Sequence, residues 1–345
     1  MPVRHEGTYT PEDVIPPMNV NAQKITDLMA RCIECGLCSD ACPSHAHGGC
    51  DPFLVMTGKE GGKVRDCIGC GACTEVCPTT DPKQVMMYRK SEALGLEVPG
   101  VFLRTGYVMP PADPSWRDGL PGIPSGEDIF LMPGCTTVCK VPFLQYATER
   151  ALDAVGVHGS ALPKNTCCMY PLSLRSLTDA QRDVYKHRME NSGVGRPIVT
   201  ICAGCTNELA RSGVQTTHLS VFLADYLDRI KELPGTDLKV ALQPGCSGKI
   251  FAKEFEAVVR ATGARPIGNP FGCCGKTIPR IADELMAERQ AEAAEADAIV
   301  VGCPMCFRMY DSRPHSKPVL YLGELVALAA GDRETQRFHL NRLEV

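Results

Sequence analysis

Residues 298–306 read AIVVGCPMC: a short apolar run ends directly on a C-x2-C pair. Ile299, Val300 and Val301 favour extended backbone, and an apolar run without polar alternation marks a strand buried on both faces. The same design recurs in IFLM (129–132), PIVTIC (197–202) and LKVALQ (238–243), each ending at or just before a cysteine. Amphipathic stretches separate these runs, so strands alternate with helices and a parallel α/β arrangement is expected. Cysteines at the C-terminal ends of such strands occupy the edge where α/β sheets place their ligands.

Around this stretch the chain repeats itself. One half reads PGC (Cys135), CC (Cys167, Cys168), CAGC (Cys202, Cys205) and HLSVFLADYL; the other reads PGC (Cys246), CCG (Cys273, Cys274), CPMC (Cys303, Cys306) and LYLGELVALA. The offsets between matching cysteines fall from 111 through 106 to 101, so the order of elements persists while the loops shorten. Two copies of one cysteine-bearing α/β unit are expected, over residues 129–233 and 234–345.

Upstream, Cys32, Cys35, Cys38, Cys42-Pro43 and then Cys67, Cys70, Cys73, Cys77-Pro78 both spell C-x2-C-x2-C-x3-C-P. That run belongs to bacterial two-cluster ferredoxins, in which three thiolates hold one 4Fe-4S cubane and the fourth ligates the other. Crossed ligation assigns Cys32, Cys35, Cys38 and Cys77 to one cluster and Cys67, Cys70, Cys73 and Cys42 to its neighbour. Gly36, Gly69 and Gly71 let the ligand loops bend close to the inorganic core. Zinc ribbons pair C-x2-C units and fit this spacing poorly.

The fold expected is α+β: a mainly helical ferredoxin-like domain at 21–94, then the two α/β units. Residues 1–20 read as an extended Pro-rich arm and 95–128 as a Gly/Pro-rich linker. The only tryptophan, Trp116, falls in that linker, where packing it onto a domain is the expected role.

Composition excludes several classes. The 345 residues carry 36 Lys+Arg against 40 Asp+Glu, a net charge of −4, which gives no general attraction to nucleic acid or anionic membrane. Hydrophobic residues make up 44% and charged residues 22%, an ordinary globular balance. The 20 cysteines follow a start, MPVRHEGTYTPEDVIPP, without an apolar signal segment, so reduced thiols and a cytoplasmic location are expected. PVLYLGELVALAAG (318–331) contains Glu324 and is shorter than the ~20 residues of a spanning helix, so any membrane contact is expected through a partner. No G-x-G-x-x-G fingerprint occurs, which leaves flavin or nicotinamide to another chain.

With Cys135, Cys167, Cys168, Cys202 and Cys205 in one half and Cys246, Cys273, Cys274, Cys303 and Cys306 in the other, the chain resembles the CCG (cysteine-rich) domain family. Its fusion to a ferredoxin domain resembles heterodisulfide reductase, with the small ferredoxin subunit joined to the catalytic subunit. The resemblance implies that each set of five cysteines holds a noncubane 4Fe-4S cluster and that a disulfide is cleaved between the two. The first half departs from the family spelling, reading Cys167-Cys168-Met169-Tyr170-Pro171 where the second reads Cys273-Cys274-Gly275.

Eighteen of the 20 cysteines are thereby used, leaving Cys50 and Cys139. Both read as buried free thiols; Cys139 is alternatively within a helical turn of the Cys135 site, and Cys50 alternatively a spare or redox-active thiol. His45 and His47 beside Cys50 suggest a metal site, against plain loop histidines. Lys249 and Lys276 follow cluster loops and either meet an anionic substrate group, offset cluster charge or are simply solvated. His218 and Tyr321 occupy matching places after the two C-x2-C motifs, with packing the expected role.

The activity implied is reduction, or reversible formation, of a disulfide such as the coenzyme M–coenzyme B heterodisulfide. The electron donor is expected to be a flavoprotein, a hydrogenase- or formate dehydrogenase-linked subunit, or a membrane cytochrome b, in a hetero-oligomeric complex. One alternative is the electron-transfer iron–sulfur subunit of a glycolate, lactate or glycerol-3-phosphate dehydrogenase type complex, whose organic chemistry takes place on a flavoprotein. Another is a non-catalytic zinc-binding or scaffold protein.

Overall fold

The computed structural model describes residues 20–94, 105, 107, 109–161, 168, 195–211, 213–275 and 279–343. Residues 1–19 of the expected arm, the first part of the linker, Cys167 and Lys276 lie outside these residues.

The first region is helical. Helices α1 (Val20–Ala30) and α2 (Pro82–Leu94) pack together, burying Ile25, Met56 and Val85 in a small core. Between them run single turns at Leu37–Asp40, Pro43–Ala46, Pro52–Met56 and Ala72–Glu75. Local chemistry starts each turn. Gly36 and Gly71 precede two of them in the left-handed region, at φ 79° and 90°. Proline opens the other two, where its missing N–H costs nothing. Asp51 caps the turn at Pro52, accepting a hydrogen bond from the Leu54 N–H at 3.3 Å.

Beyond the linker the described residues form two four-stranded sheets. The strands are β1 (Ile129–Met132), β2 (Gly159–Ala161), β3 (Ile198–Thr200), β4 (Thr217–His218), β5 (Lys239–Gln243), β6 (Arg265–Pro266), β7 (Ala298–Val301) and β8 (Val319–Tyr321). One sheet has the order β2-β1-β3-β4 and the other β6-β5-β7-β8, and every pairing is parallel. The four strands anticipated from apolar runs are the two central ones of each sheet, and β1, β3 and β7 are buried along their whole length. The edge strands are two or three residues long, too short to leave a periodic trace.

Among the described residues beyond the linker, the helices longer than five residues are α3 (Gly134–Lys140), α4 (Phe143–Ala154), α5 (Ala203–Arg211), α6 (Leu219–Ala224), α7 (Ala252–Ala261), α8 (Pro279–Glu292), α9 (Pro304–Asp311) and α10 (Leu322–Ala329), with a short turn of helix at Leu227–Lys231. They cover the sheets by exchange. Helix α4 of the first half packs on α10 of the second, and α6 of the first packs on α7 of the second. At the α4–α10 crossing a Cβ on Gly323 would lie 3.0 Å from the Thr148 hydroxyl and 3.1 Å from its Cα, so the helices approach closely only because that residue is glycine. A single buried core, including Leu131, Val199, Leu242 and Val300, therefore runs through both sheets.

The apolar segment at 318–331 forms β8 and α10 in this core. Among the described residues no helix is long and apolar enough to cross a membrane. Glu324 is buried there and satisfied twice: it accepts from the Tyr321 N–H at 2.9 Å and pairs with His339 Nε2 at 2.8 Å. Trp116 packs the linker against the main core, its ring edge-on to Phe338 at 6.5 Å.

Candidate metal centre

Cys32, Cys35, Cys38 and Cys77 line one pocket. The first three come from the loop and turn after α1, and Cys77 comes from beyond the turn at Ala72–Glu75, 39 residues after Cys38 in the chain. Burial first, and then the Cys32, Cys35 and Cys77 sulfurs, push the Cys38 thiol up to about 11. Cys35 is exposed, and the neighbouring Ile33, Leu37 and Val76 are exposed as well.

Cys42, Cys67, Cys70 and Cys73 form a second group. Burial and the Cys67, Cys70 and Cys42 sulfurs raise the Cys73 thiol, and burial raises Cys70 to about 11. Cys67 moves the other way, downward, through the neighbouring Cys50 thiol, helped by the Gly69 N–H and the cations of Lys90 and Lys83. Thiols packed so that each disfavours its neighbour's ionisation suit a cationic metal core, which relieves that repulsion. Both donor sets fit a four-thiolate iron–sulfur cluster.

The second group abuts the second sheet. Cys70 and Ile68 pack against Cys273 and Leu285, the latter on α8, and Cys70 interacts electrostatically with Cys246. Lys249 bridges the same boundary, its ammonium 2.8 Å from Glu75, so it serves an ion pair between domains instead of standing open to a substrate anion.

At the C-terminal edge of the second sheet five cysteines converge. The Cys306 sulfur lies 3.3 Å from Cys274 and also hydrogen-bonds with Cys303; Cys273 is raised by burial and by Cys274 and Cys246. Cys303 is the N-cap of α9, whose amide dipoles favour a thiolate there. In the first sheet Cys205 hydrogen-bonds with Cys168 and Cys202. Cys135 follows Gly134, where a Cβ would come 2.9 Å from the Cys205 sulfur. At Gly245 the tight neighbour is the Cys303 Cβ, at 3.2 Å, and both glycines have positive φ, 79° and 87°. Both Pro-Gly-Cys turns thus need glycine for backbone conformation, and Gly134 also for room at the Cys205 sulfur.

The two edges face each other. Asn207 of α5 donates to the Ser247 carbonyl at 3.0 Å, and Tyr321 lies within electrostatic reach of both Cys202 and Cys303. His218 caps α6, stacks on Phe251 at 5.2 Å, and is held down to about 4 by burial, so its ring is neutral. His218 and Tyr321 pack as expected, at the seam between the two cysteine groups.

Cys139 is buried, its thiol donating to the Met109 carbonyl at 3.2 Å. His45 and His47 turn to different partners, Asp51 at 3.7 Å and Glu284 at 3.2 Å, and do not converge with Cys50. Cys50 itself is the residue whose surroundings the sequence did not reveal: it sits fully buried within one cluster with Cys38, Cys67 and Cys73. Its spacing from those residues fits no recurring motif.

Comparison with known proteins accords with this geometry. Residues 24–78 match the 4Fe-4S dicluster domain, and residues 129–210 and 240–311 each match the cysteine-rich domain. The chain is 25% identical to one subunit of the ferredoxin/F420H2-dependent CoB–CoM heterodisulfide reductase of Methanosarcina acetivorans, over 59% of this chain and 89% of that one. It is 26% identical to the corresponding subunit of the ferredoxin:CoB–CoM heterodisulfide reductase of Methanosarcina mazei, with the same coverage. One subunit of the dihydromethanophenazine:CoB–CoM heterodisulfide reductase of M. mazei is 24% identical over 59% of this chain and 58% of its own length. A crystal structure of a hypothetical protein from Helicobacter pylori shares the fold, with a TM-score of 0.52 at 11% identity over 85% of this chain and 67% of that one. The chain is a heterodisulfide reductase-like iron–sulfur protein, a 4Fe-4S dicluster domain joined to two cysteine-rich domains.

Proposed function

We propose that this chain is the disulfide-cleaving subunit of a hetero-oligomeric oxidoreductase. The observation that carries the reading is the meeting of two cysteine groups across one seam, flanked by Tyr321 and His218. Cys135, Cys167, Cys168, Cys202 and Cys205 would hold one noncubane cluster and Cys246, Cys273, Cys274, Cys303 and Cys306 the other. Cys32, Cys35, Cys38 and Cys77, and Cys42, Cys67, Cys70 and Cys73, would hold two cubanes. When bound, such clusters supply one-electron steps and iron sites with affinity for sulfur.

The chain's own residues set the route. Exposed Cys35, with Ile33 and Leu37 exposed in the same pocket lining, gives an electron-donating partner access to the first group. The second group leads inward, because Cys70 packs on Cys273. At the seam a disulfide R–S–S–R′ takes two electrons and two protons and leaves as RSH and R′SH. The electrons come from the partner and the protons from solvent. The coenzyme M–coenzyme B heterodisulfide named for the relatives is the first substrate to test.

The test is disulfide reduction by the anaerobically purified chain with reduced methyl viologen as donor. Thiol release at two per disulfide supports the reading. Full cluster content without turnover of any disulfide would instead favour an electron-transfer subunit serving a flavoprotein. Metal analysis accompanies it: four clusters require roughly sixteen irons per chain and little zinc.

A further inference from the structure

His47 follows the turn at Pro43–Ala46 and reaches across to α8 of the second cysteine-rich domain, its Nδ1 3.2 Å from Glu284 Oε1. Its side chain is only 16% exposed, and the loop beside it is fixed. The Gly48 N–H donates to the His45 carbonyl at 2.8 Å, and the Lys63 ammonium donates to the Gly48 carbonyl at 2.9 Å. Glu284 and Glu288 stand four residues apart on α8, so they share one face of the helix. One ligand atom from each of His47, Glu284 and Glu288 lies within 4.8 Å of the other two. Arg289, 3.8 Å from Glu288, is committed elsewhere: it pairs with Glu292 at 2.5 Å and lies over the Phe271 ring. The cluster flanks the contact between domains, because Leu285, next to Glu284, packs with Ile68 and Cys70 of the dicluster domain.

Two carboxylates one turn apart on a helix repel each other, and a dication shared by both relieves that repulsion. Donors bound to one such ion at about 2.1 Å stand roughly 3.0–3.4 Å apart, and the His47–Glu284 separation of 3.2 Å falls in that range. One imidazole nitrogen and two carboxylate oxygens suit a divalent transition metal such as manganese, iron(II) or zinc. We propose that His47, Glu284 and Glu288 form a divalent-metal site that clasps the dicluster domain to α8 of the second cysteine-rich domain. The site uses none of the cysteines, so it stands apart from the cluster assignments. An ion bound from both sides of the boundary stabilises the docked arrangement by mass action. That arrangement is the one that sets Cys70 against Cys273.

The experiment titrates the anaerobically purified, iron-replete full chain with Mn2+ and follows the six-line EPR signal of the free ion at room temperature. Mn2+ is the probe because it favours oxygen and imidazole donors over thiolates and so leaves the cysteines alone. The wild type should take up one Mn2+ per chain. Loss of a residue that merely orients a metal ligand weakens binding about 10–100-fold, so His47→Ala, Glu284→Gln and Glu288→Gln should each weaken uptake by about tenfold or more. Glu295→Gln, which removes an exposed carboxylate beyond the end of α8, should bind as wild type does. Saturating Mn2+ should also raise the urea midpoint of the wild type and of Glu295→Gln, and leave the three site variants unmoved. Absence of uptake, which a plain His47–Glu284 ion pair predicts, overturns the proposal. So does uptake unchanged in His47→Ala, or a loss in Glu295→Gln equal to that in the site variants, which marks diffuse binding to surface acids. Glu284 and Glu288 are exposed, so their variants spare the core; if His47→Ala lowers the iron content, the two glutamine variants decide the outcome.

Discussion

Tyr321, at the end of β8, donates its hydroxyl hydrogen to the carbonyl of Ile201, just past β3, at 2.7 Å. Both residues are fully buried, and they join the two sheets one residue from Cys202 and close to Cys303. Burial holds the phenol well above its ordinary range, so it remains a donor at any working pH. The two halves are thereby held in register where their cysteines meet.

Tyr321→Phe keeps the ring and removes the bond, leaving a buried carbonyl unpaired. The expected loss is about 1–3 kcal/mol, read as a lower urea midpoint. Iron content measured before denaturation should match wild type, and an unchanged midpoint would show that the bond holds nothing.

Cys42 precedes the turn that follows the first cysteine run, yet it groups with Cys67, Cys70 and Cys73. Cys42→Ser should therefore damage the cluster of the second run. Redox-resolved EPR should show that cubane signal weakened and the one at Cys32, Cys35, Cys38 and Cys77 retained; the reverse pattern would contradict crossed ligation.

Cys168 and Cys274 are matching residues of the two cysteine-rich domains, each hydrogen-bonded to the second cysteine of a C-x2-C pair. If the two sites act as one unit, Cys168→Ser and Cys274→Ser should each lower disulfide reduction about as far as the double variant does. Both cubanes should still reduce with dithionite. Substantial turnover by a single variant shown to lack its noncubane cluster would remove the paired-site mechanism.

His339 is buried against Glu324 at 2.8 Å. Burial alone would lower the imidazole, but the Glu324 carboxylate outweighs it and the net shift is upward. A histidine raised on folding stabilises the protein fully below its unfolded value of about 6.5, and this stability is lost as pH rises through the folded value. The stability difference between wild type and His339→Gln, from urea unfolding across pH 5.5 to 8.5, should narrow as pH increases. A difference that widens would show that the imidazole is neutral in the folded chain.

Much of this organisation was legible in the sequence, for identifiable reasons. The central strands β1, β3, β5 and β7 are enclosed by helices and neighbouring strands, so burial imposed apolar runs that can be read directly. The ferredoxin runs were legible because three thiolates on one loop must obey a fixed spacing. The edge strands were not: at two or three residues their place depends on pairing with a central strand, not on their own composition. Lys249 read as a substrate contact, a charge offset or a solvated lysine, and only the fold sets Glu75, distant in the chain, against it.

Covalent spacing and hydrophobic pattern are local properties, and they determined by themselves the central strands, their alternation with helices and the doubling of the α/β unit. Tertiary structure decided which groups adjoin. Cys70 against Cys273, Tyr321 against Ile201, and α4 against α10 pair residues far apart in the chain, brought together by burial of a shared core. The same holds for Cys50. A cysteine carries no mark of whether its thiol ligates or merely packs; folding alone buries this one with Cys38, Cys67 and Cys73.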